Sequence, residues 1–235
     1  MMRFAINGFG RVGRTLLRVY RTREDAQARF ELAAINEIAD ANTVAHLARY
    51  DSNYGRYPGC IALSGSLLAI DQSLVPLSHE PDVAALPWGE LGIGLVFECT
   101  GAFTDRATAE QHLHSGAGRV LFSPPAESDV DATIVYGVNT ETLSGDMDVV
   151  SAASCTTNAV VPVLATLSET FGVEAATITT IHSLMNDQPV LDAYHHTDLR
   201  KTRAASQSII PVDTGLAVGI ERILPELTGK LSAHA

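Results

Sequence analysis

The sequence predicts an α/β fold built on a doubly wound parallel sheet. Short apolar runs alternate with longer amphipathic stretches, a glycine-rich turn follows the first apolar run, and 46% apolar against 18% charged residues supply a full core. In chain order, strands are expected at Arg3–Asn7, Phe30–Asn36, Gly94–Cys99, Arg119–Phe122, Thr133–Tyr136 and Val149–Ala152. Helices are expected at Arg11–Arg21, Ala41–Arg49, Arg106–Ser115 and Thr156–Phe171, the first opened by glycines and the last preceded by small polar residues suited to a cap. The alternation favours a sheet covered by helices on both faces. A change comes near Cys155. Beyond it lie a strand at Ala175–Ile181 and then a polar stretch, Leu184–Ser206, too long and aperiodic for a passive connection. The expected division is a sheet domain over residues 1–154 and the first part of an α+β domain over 155–235.

Composition narrows the function classes. The 235 residues carry 16 lysines and arginines against 27 acids, a formal charge of −11, which argues against broad capture of nucleic acid or an anionic membrane. An anionic ligand must therefore be caught locally. Three cysteines, Cys60, Cys99 and Cys155, fit a reducing compartment, and no run reaches the ~20 apolar residues of a membrane span. With no apolar leader after Met1, a cytosolic protein is expected, and no metal site is.

Asn7-Gly8-Phe9-Gly10-Arg11-Val12-Gly13-Arg14 places G-x-G-x-x-G between a predicted strand and a predicted helix. Gly8 permits the tight turn, Gly10 lets the backbone approach a pyrophosphate, and Gly13 lets the helix pack closely on the strand, while the helix N-terminus faces the anion. Glu37 closes the second predicted strand 24 residues after Gly13, near the ~20-residue offset of an acid that binds ribose hydroxyls. This is a Rossmann-type nucleotide site. Because the Glu37 carboxylate would repel a 2′-phosphate, NAD is expected rather than NADP.

Cys155, in Ser154-Cys155-Thr156-Thr157-Asn158, lies where a strand ends and a helix begins, so its thiol feels the helix dipole and free N–H groups. His182 ends the next predicted strand. Parallel strands joined by a crossover helix bring their carboxyl ends side by side, so Cys155 and His182 are expected to meet as nucleophile and general base. Cys60, in a Gly/Pro-rich loop, and Cys99, within an apolar strand, suit no such role.

Asn7–Arg14, Tyr50-Asp51-Ser52 with Gly55-Arg56, Glu98–Gly101, Ser154–Asn158, Thr179–Ser183 and Ile209-Ile210-Pro211 together resemble the phosphorylated-aldehyde dehydrogenases typified by glyceraldehyde-3-phosphate dehydrogenase. The resemblance spans the chain. Within that family, Met185–Val190, Asp192–His196 and Asp198-Leu199-Arg200 look most like the members that oxidise D-erythrose 4-phosphate to 4-phosphoerythronate for pyridoxal phosphate synthesis. The resemblance implies Cys155 as nucleophile and His182 as base. It implies cofactor contacts at Gly8, Gly10, Arg11, Val12, Gly13, Glu37, Thr100, Gly101 and Ser123, and substrate or anion contacts at Ser154, Thr156, Arg200, Thr214 and Gly215. It also implies a homotetramer acting on a small phosphorylated aldehyde.

Three departures from the family pattern stand out. The glycolytic members carry a threonine three residues after the catalytic histidine that helps hold phosphate, and this chain has Met185, whose thioether cannot donate a hydrogen bond. Water is the acyl acceptor that this difference suggests. His79-Glu80-Pro81 lacks an arginine that lines the adenine pocket in many relatives. The last residues, Lys230–Ala235, resemble the opening of a strand in the family's second domain, so a truncated chain is expected, with a second anion-binding arginine and a carboxamide-orienting asparagine falling beyond Ala235. A glycolytic phosphorylating enzyme and a non-catalytic, redox-sensitive nucleotide-binding fragment are the competing readings.

Overall fold

A computed structural model describes residues 1–185, 188–195 and 198–235 as two compact units, Met1–Ile134 with Thr140–Ala153, and Val135–Asn139 with Ser154–Ala235. The first unit runs β1 (Met2–Asn7), α1 (Arg11–Thr22), α2 (Glu24–Arg29), β2 (Phe30–Asn36), α3 (Ala41–Arg49), β3 (Tyr50–Asp51), β4 (Gly55–Arg56), β5 (Ile61–Ser64), β6 (Leu67–Ile70), β7 (Ser73–Ser78), β8 (Leu95–Glu98), α4 (Arg106–His114), β9 (Val120–Phe122), β10 (Ala132–Thr133) and β11 (Val149–Ser151). Nine strands form one sheet in the order β10-β11-β9-β8-β1-β2-β7-β6-β5. From β10 through β7 every pairing is parallel. The chain winds outward from β1 in both directions, so the strand order reverses beside β1, where open α/β sheets bind ligands.

Alternation along β1 decides which helices cover which face. Phe4 and Ile6 point one way and pack with Leu17 of α1 and with Val44, Ala45 and Ala48 of α3. Ala5 points the other way, with Ala33, Val96 and Trp88. Beyond β8, Ala109 of α4 covers Val120, Phe122 and Val149. The sheet is thus buried on both sides, which is why its central strands read as continuous apolar runs.

The doubly wound parallel sheet is present, and β5, β6 and β7 add an antiparallel meander at its edge. One expectation needs correcting. The strand expected at Thr133–Tyr136 is the shorter β10; Val135–Asn139 is instead a turn, in which the Val138 N–H donates to the Val135 carbonyl, the Val135 N–H donates to Asn139 Oδ1, and Gly137 takes φ +82°.

The second unit contains α5 (Cys155–Phe171), β12 (Ala176–Thr179), α6 (Leu216–Glu221) and β13 (Leu231–His234). Helix α5 begins one residue before the predicted Thr156. The Ser154 hydroxyl accepts from the Thr157 N–H at 2.9 Å, an N-cap that satisfies one donor of the first turn and sets the helix start at Cys155. Parallel β12 and β13 form a separate two-stranded sheet. Between β12 and α6, the only helical segment among the described residues is a 3-10 turn at Leu199–Thr202.

Candidate active site and cofactor cleft

At the carboxyl ends of β1, β2 and β8 lies a cleft of about 260 Å³ lined by Asn7, Gly8, Gly10, Asn36, Glu37, Ile38, Glu80, Pro81, Val83, Cys99, Thr100, Ala102 and Phe103. Glycine is required in its floor. Gly8 has φ +87°, and a Cβ there would stand 2.5 Å from the Thr100 backbone nitrogen, while a Cβ on Gly13 would meet the Gly8 carbonyl oxygen at 2.4 Å. At Gly10 the space is open, and this residue caps α1 with no side-chain bond to the first turn. Bare backbone therefore meets a helix N-terminus with its N–H groups free for an anion. These residues fit a dinucleotide.

Four expected cofactor residues, Gly8, Gly10, Glu37 and Thr100, line the cleft; Arg11, Val12, Gly13, Gly101 and Ser123 do not. Gly13 packs helix on strand, Arg11 and Val12 stand exposed at the start of α1, and the Ser123 N–H donates to the Glu98 carbonyl at 2.9 Å. The Glu37 carboxylate accepts from the Phe9 N–H at 2.7 Å and from the Ala39 N–H at 3.2 Å. It thereby ties the end of β2 to the glycine turn while one flank faces the cleft.

In the second unit, Cys155 Sγ lies 3.4 Å from His182 Nε2. His182 Nδ1 is 2.7 Å from the Ser183 carbonyl oxygen, which can only accept, so Nδ1 carries a hydrogen and Nε2 is left able to take the thiol proton. Burial opposes the thiolate. The hydrogen bonds from His182 and Thr156, with the charge of His182, outweigh it and hold the Cys155 thiol below its ordinary range. The N-terminus of the 17-residue α5 adds its dipole in the same sense.

The expected meeting of Cys155 and His182 occurs, by a route different from the one expected. The neighbour of β12 is β13, not β11. Thr156 Oγ1 stands 3.9 Å from Cys155 Sγ, and Ser154 is occupied as the helix cap. Arg200 binds carboxylates: its guanidinium reaches Asp198 at 2.8 Å and Asp213 at 3.0 Å. The Thr214 hydroxyl accepts from the Leu216 N–H at 3.2 Å, and Gly215 precedes α6. Met185 is exposed, while Asn186, Asp187 and His196, part of the narrower resemblance, lie outside the described residues.

Sequence reasoning overlooked Asn7, Asn36 and Glu80 in the cleft wall. A usable signal existed: Ala5-Ile6-Asn7 and Ala34-Ile35-Asn36 end two apolar strands with the same amide. An amide closing a buried strand must find partners there.

The sheet, the glycine turn and the cleft define a nucleotide-binding dehydrogenase fold. Two family models match the chain: the NAD binding domain of glyceraldehyde 3-phosphate dehydrogenase over residues 2–106, and the C-terminal domain of the same enzyme over residues 154–235. Together they account for most of the chain, which belongs to the glyceraldehyde 3-phosphate dehydrogenase family of NAD-dependent oxidoreductases.

Proposed function

We propose that the protein oxidises D-erythrose 4-phosphate to 4-phosphoerythronate with NAD, through a thioester on Cys155. The observation that carries the chemistry is the 3.4 Å approach of Cys155 Sγ to His182 Nε2 at the start of α5. His182 takes the thiol proton, the sulfur attacks the aldehyde carbon, and the carbonyl electron pair moves to oxygen, to which His182 returns that proton, giving a thiohemiacetal. Bound NAD supplies the acceptor for the hydride leaving that carbon. His182 removes the hydroxyl proton as the carbonyl re-forms, leaving the thioester. Once His182 has released that proton to solvent, it takes a proton from water as the water oxygen attacks the acyl carbon, and the C–S bond breaks to return the thiolate. Gly8, Gly10 and the N-terminus of α1 hold the pyrophosphate, and Glu37 the adenine ribose.

Thr156 supplies a hydroxyl beside the sulfur for the substrate's oxygens. Arg200 serves a phosphate group once that group replaces Asp213, the more exposed of its two carboxylate partners. Met185 supports water as acceptor, because it places a thioether where the glycolytic members have a phosphate-binding hydroxyl. Assembly as a tetramer in the cytoplasm rests on the family resemblance. The enzyme should form NADH from erythrose 4-phosphate in phosphate-free buffer. Inactivity without phosphate, with an acyl phosphate as main product, would establish the phosphorylating glyceraldehyde-3-phosphate reading instead.

A further inference from the structure

Behind the cofactor cleft runs a buried polar chain that neither the hydride chemistry nor the glycine turn requires. Asn36, Asn7 and Glu98 stand abreast at the ends of three adjacent strands, Asn7 being the register partner of both others. The Glu98 carboxylate is wholly buried. One oxygen accepts from Asn7 Nδ2 at 2.6 Å and from His112 Nε2 at 3.1 Å; the other accepts from the Thr100 N–H at 2.8 Å and from the Thr100 hydroxyl. His112, on α4, is itself oriented. Trp88 Nε1 lies 2.9 Å from His112 Nδ1, and an indole N–H only donates, so Nδ1 accepts and Nε2 carries the hydrogen that Glu98 receives. At the other end, Asn7 Oδ1 accepts from Asn36 Nδ2, while Asn36 Oδ1 accepts from the Ser78 hydroxyl and the Glu80 N–H.

Every direction in this chain is fixed from its ends. Asn7, Asn36, Glu80 and Thr100 are also walls of the cleft, and Gly8 packs so closely on the Thr100 nitrogen that Glu98 holds that a Cβ on Gly8 would stand 2.5 Å from it. Trp88 and His112 lie outside the cleft lining. We propose that Glu98 is a positioning residue for the cofactor: oriented by Trp88 through His112, it sets Asn7 and Thr100 against the glycine turn and thereby governs dinucleotide affinity.

Glu98→Gln exposes the logic. With its amide nitrogen toward Asn7 and His112, donors face donors. Asn7 cannot turn over without opposing Asn36, and His112 cannot change tautomer without opposing the Trp88 N–H. With the nitrogen toward Thr100, the Thr100 N–H loses its acceptor. No arrangement satisfies the chain, so the loss should reach the cleft.

This inference rests on the NAD assignment, and its test separates the two. Trp88 is the single tryptophan, so one indole N–H resonance reports on the buried end of the chain. Titrating the wild-type protein with NAD should shift that resonance, although Trp88 does not line the cleft. Glu98→Gln should weaken NAD binding by about tenfold by calorimetry, equivalent to about 1.4 kcal/mol. It should also displace the indole or the Thr100 amide resonance in the free protein. If Glu98→Gln does not fold, Trp88→Phe, which removes one donor and keeps an aromatic ring, should weaken NAD binding about threefold, equivalent to about 0.6 kcal/mol. NAD affinity within error of wild type in the folded variant, or an indole resonance unmoved at NAD saturation, overturns the positioning role. A wild-type protein that binds no NAD would instead refute the cofactor assignment.

Discussion

Cys99 and Cys155 sit in regions built on opposite terms. Cys99 follows β8 in the wall of the cofactor cleft, where burial pushes its thiol up to about 12 despite a hydrogen bond with Ser123. Cys155 is exposed at the start of α5, where His182 and Thr156 bring its thiol below the ordinary range. Burial thus disfavours the thiolate of one sulfur, and partial exposure beside an imidazole favours the thiolate of the other. The surroundings differ in the same way. The cleft wall is interlocked by buried amides and a buried carboxylate, whereas Cys155 and His182 are placed by one cap and one carbonyl.

The contrast breaks first at Cys155. Cys155→Ser should lower turnover by at least about a thousandfold, because a serine hydroxyl beside one histidine has little alkoxide character at neutral pH. NAD affinity should stay within about twofold, since Cys155 lies outside the cleft lining. Steady-state rates and calorimetry on the same preparation check both halves. Iodoacetamide sharpens the point by reading thiolate directly. With the Cys155 thiol lowered by His182, its alkylation should set in at lower pH than for a simple thiol, and His182→Asn should move that midpoint upward. Cys99 should resist alkylation in the folded protein at every pH where Cys155 reacts.

Next comes the cofactor side. The Glu37 carboxylate faces the cleft, and NAD should bind at least about tenfold more tightly than NADP, roughly 1.4 kcal/mol. Glu37→Ala should reduce that preference. It should also loosen the glycine turn, because the Phe9 and Ala39 N–H groups lose their acceptor. Titration with both cofactors decides the matter, and equal affinities in the wild type would mean that the carboxylate is committed to those two amides alone.

Local signals carried most of what was legible. The apolar strands β1, β2, β8 and β9 and the helices α1 and α3 follow from periodicity, since each buries a regular face. Helix α2 passed unread because none of its residues is buried, leaving no periodic stripe. The β5–β7 meander was hidden by its length and by Pro76 inside β7, a residue that ordinarily argues against an internal strand. At the site, G-x-G-x-x-G and the small cap before Cys155 act within a few residues and were readable. The Glu98 chain joins residues as far apart as 91 positions, and pairing of β12 with β13 spans more than fifty, so no window of sequence contains either. Arg200 illustrates the same limit: its carboxylate partner Asp213 is 13 residues away.

The smallest expected effect lies at the acyl acceptor, where one exposed side chain three residues after His182 is tested alone. Met185 offers no donor to an anion, and its side chain is exposed. Met185→Thr adds a hydroxyl worth about 0.5–1.5 kcal/mol per net hydrogen bond. Phosphate stimulation and turnover of glyceraldehyde 3-phosphate should therefore rise by up to about tenfold. Conversion should be incomplete, because Arg200 remains paired with Asp198 and Asp213, and an incoming phosphate must compete with both carboxylates. Rates measured with and without phosphate, on both aldehydes, read the change. Unaltered phosphate dependence in the threonine variant would place the choice of acceptor in the arginine and its carboxylates, and Asp213→Asn would be the next substitution to separate them.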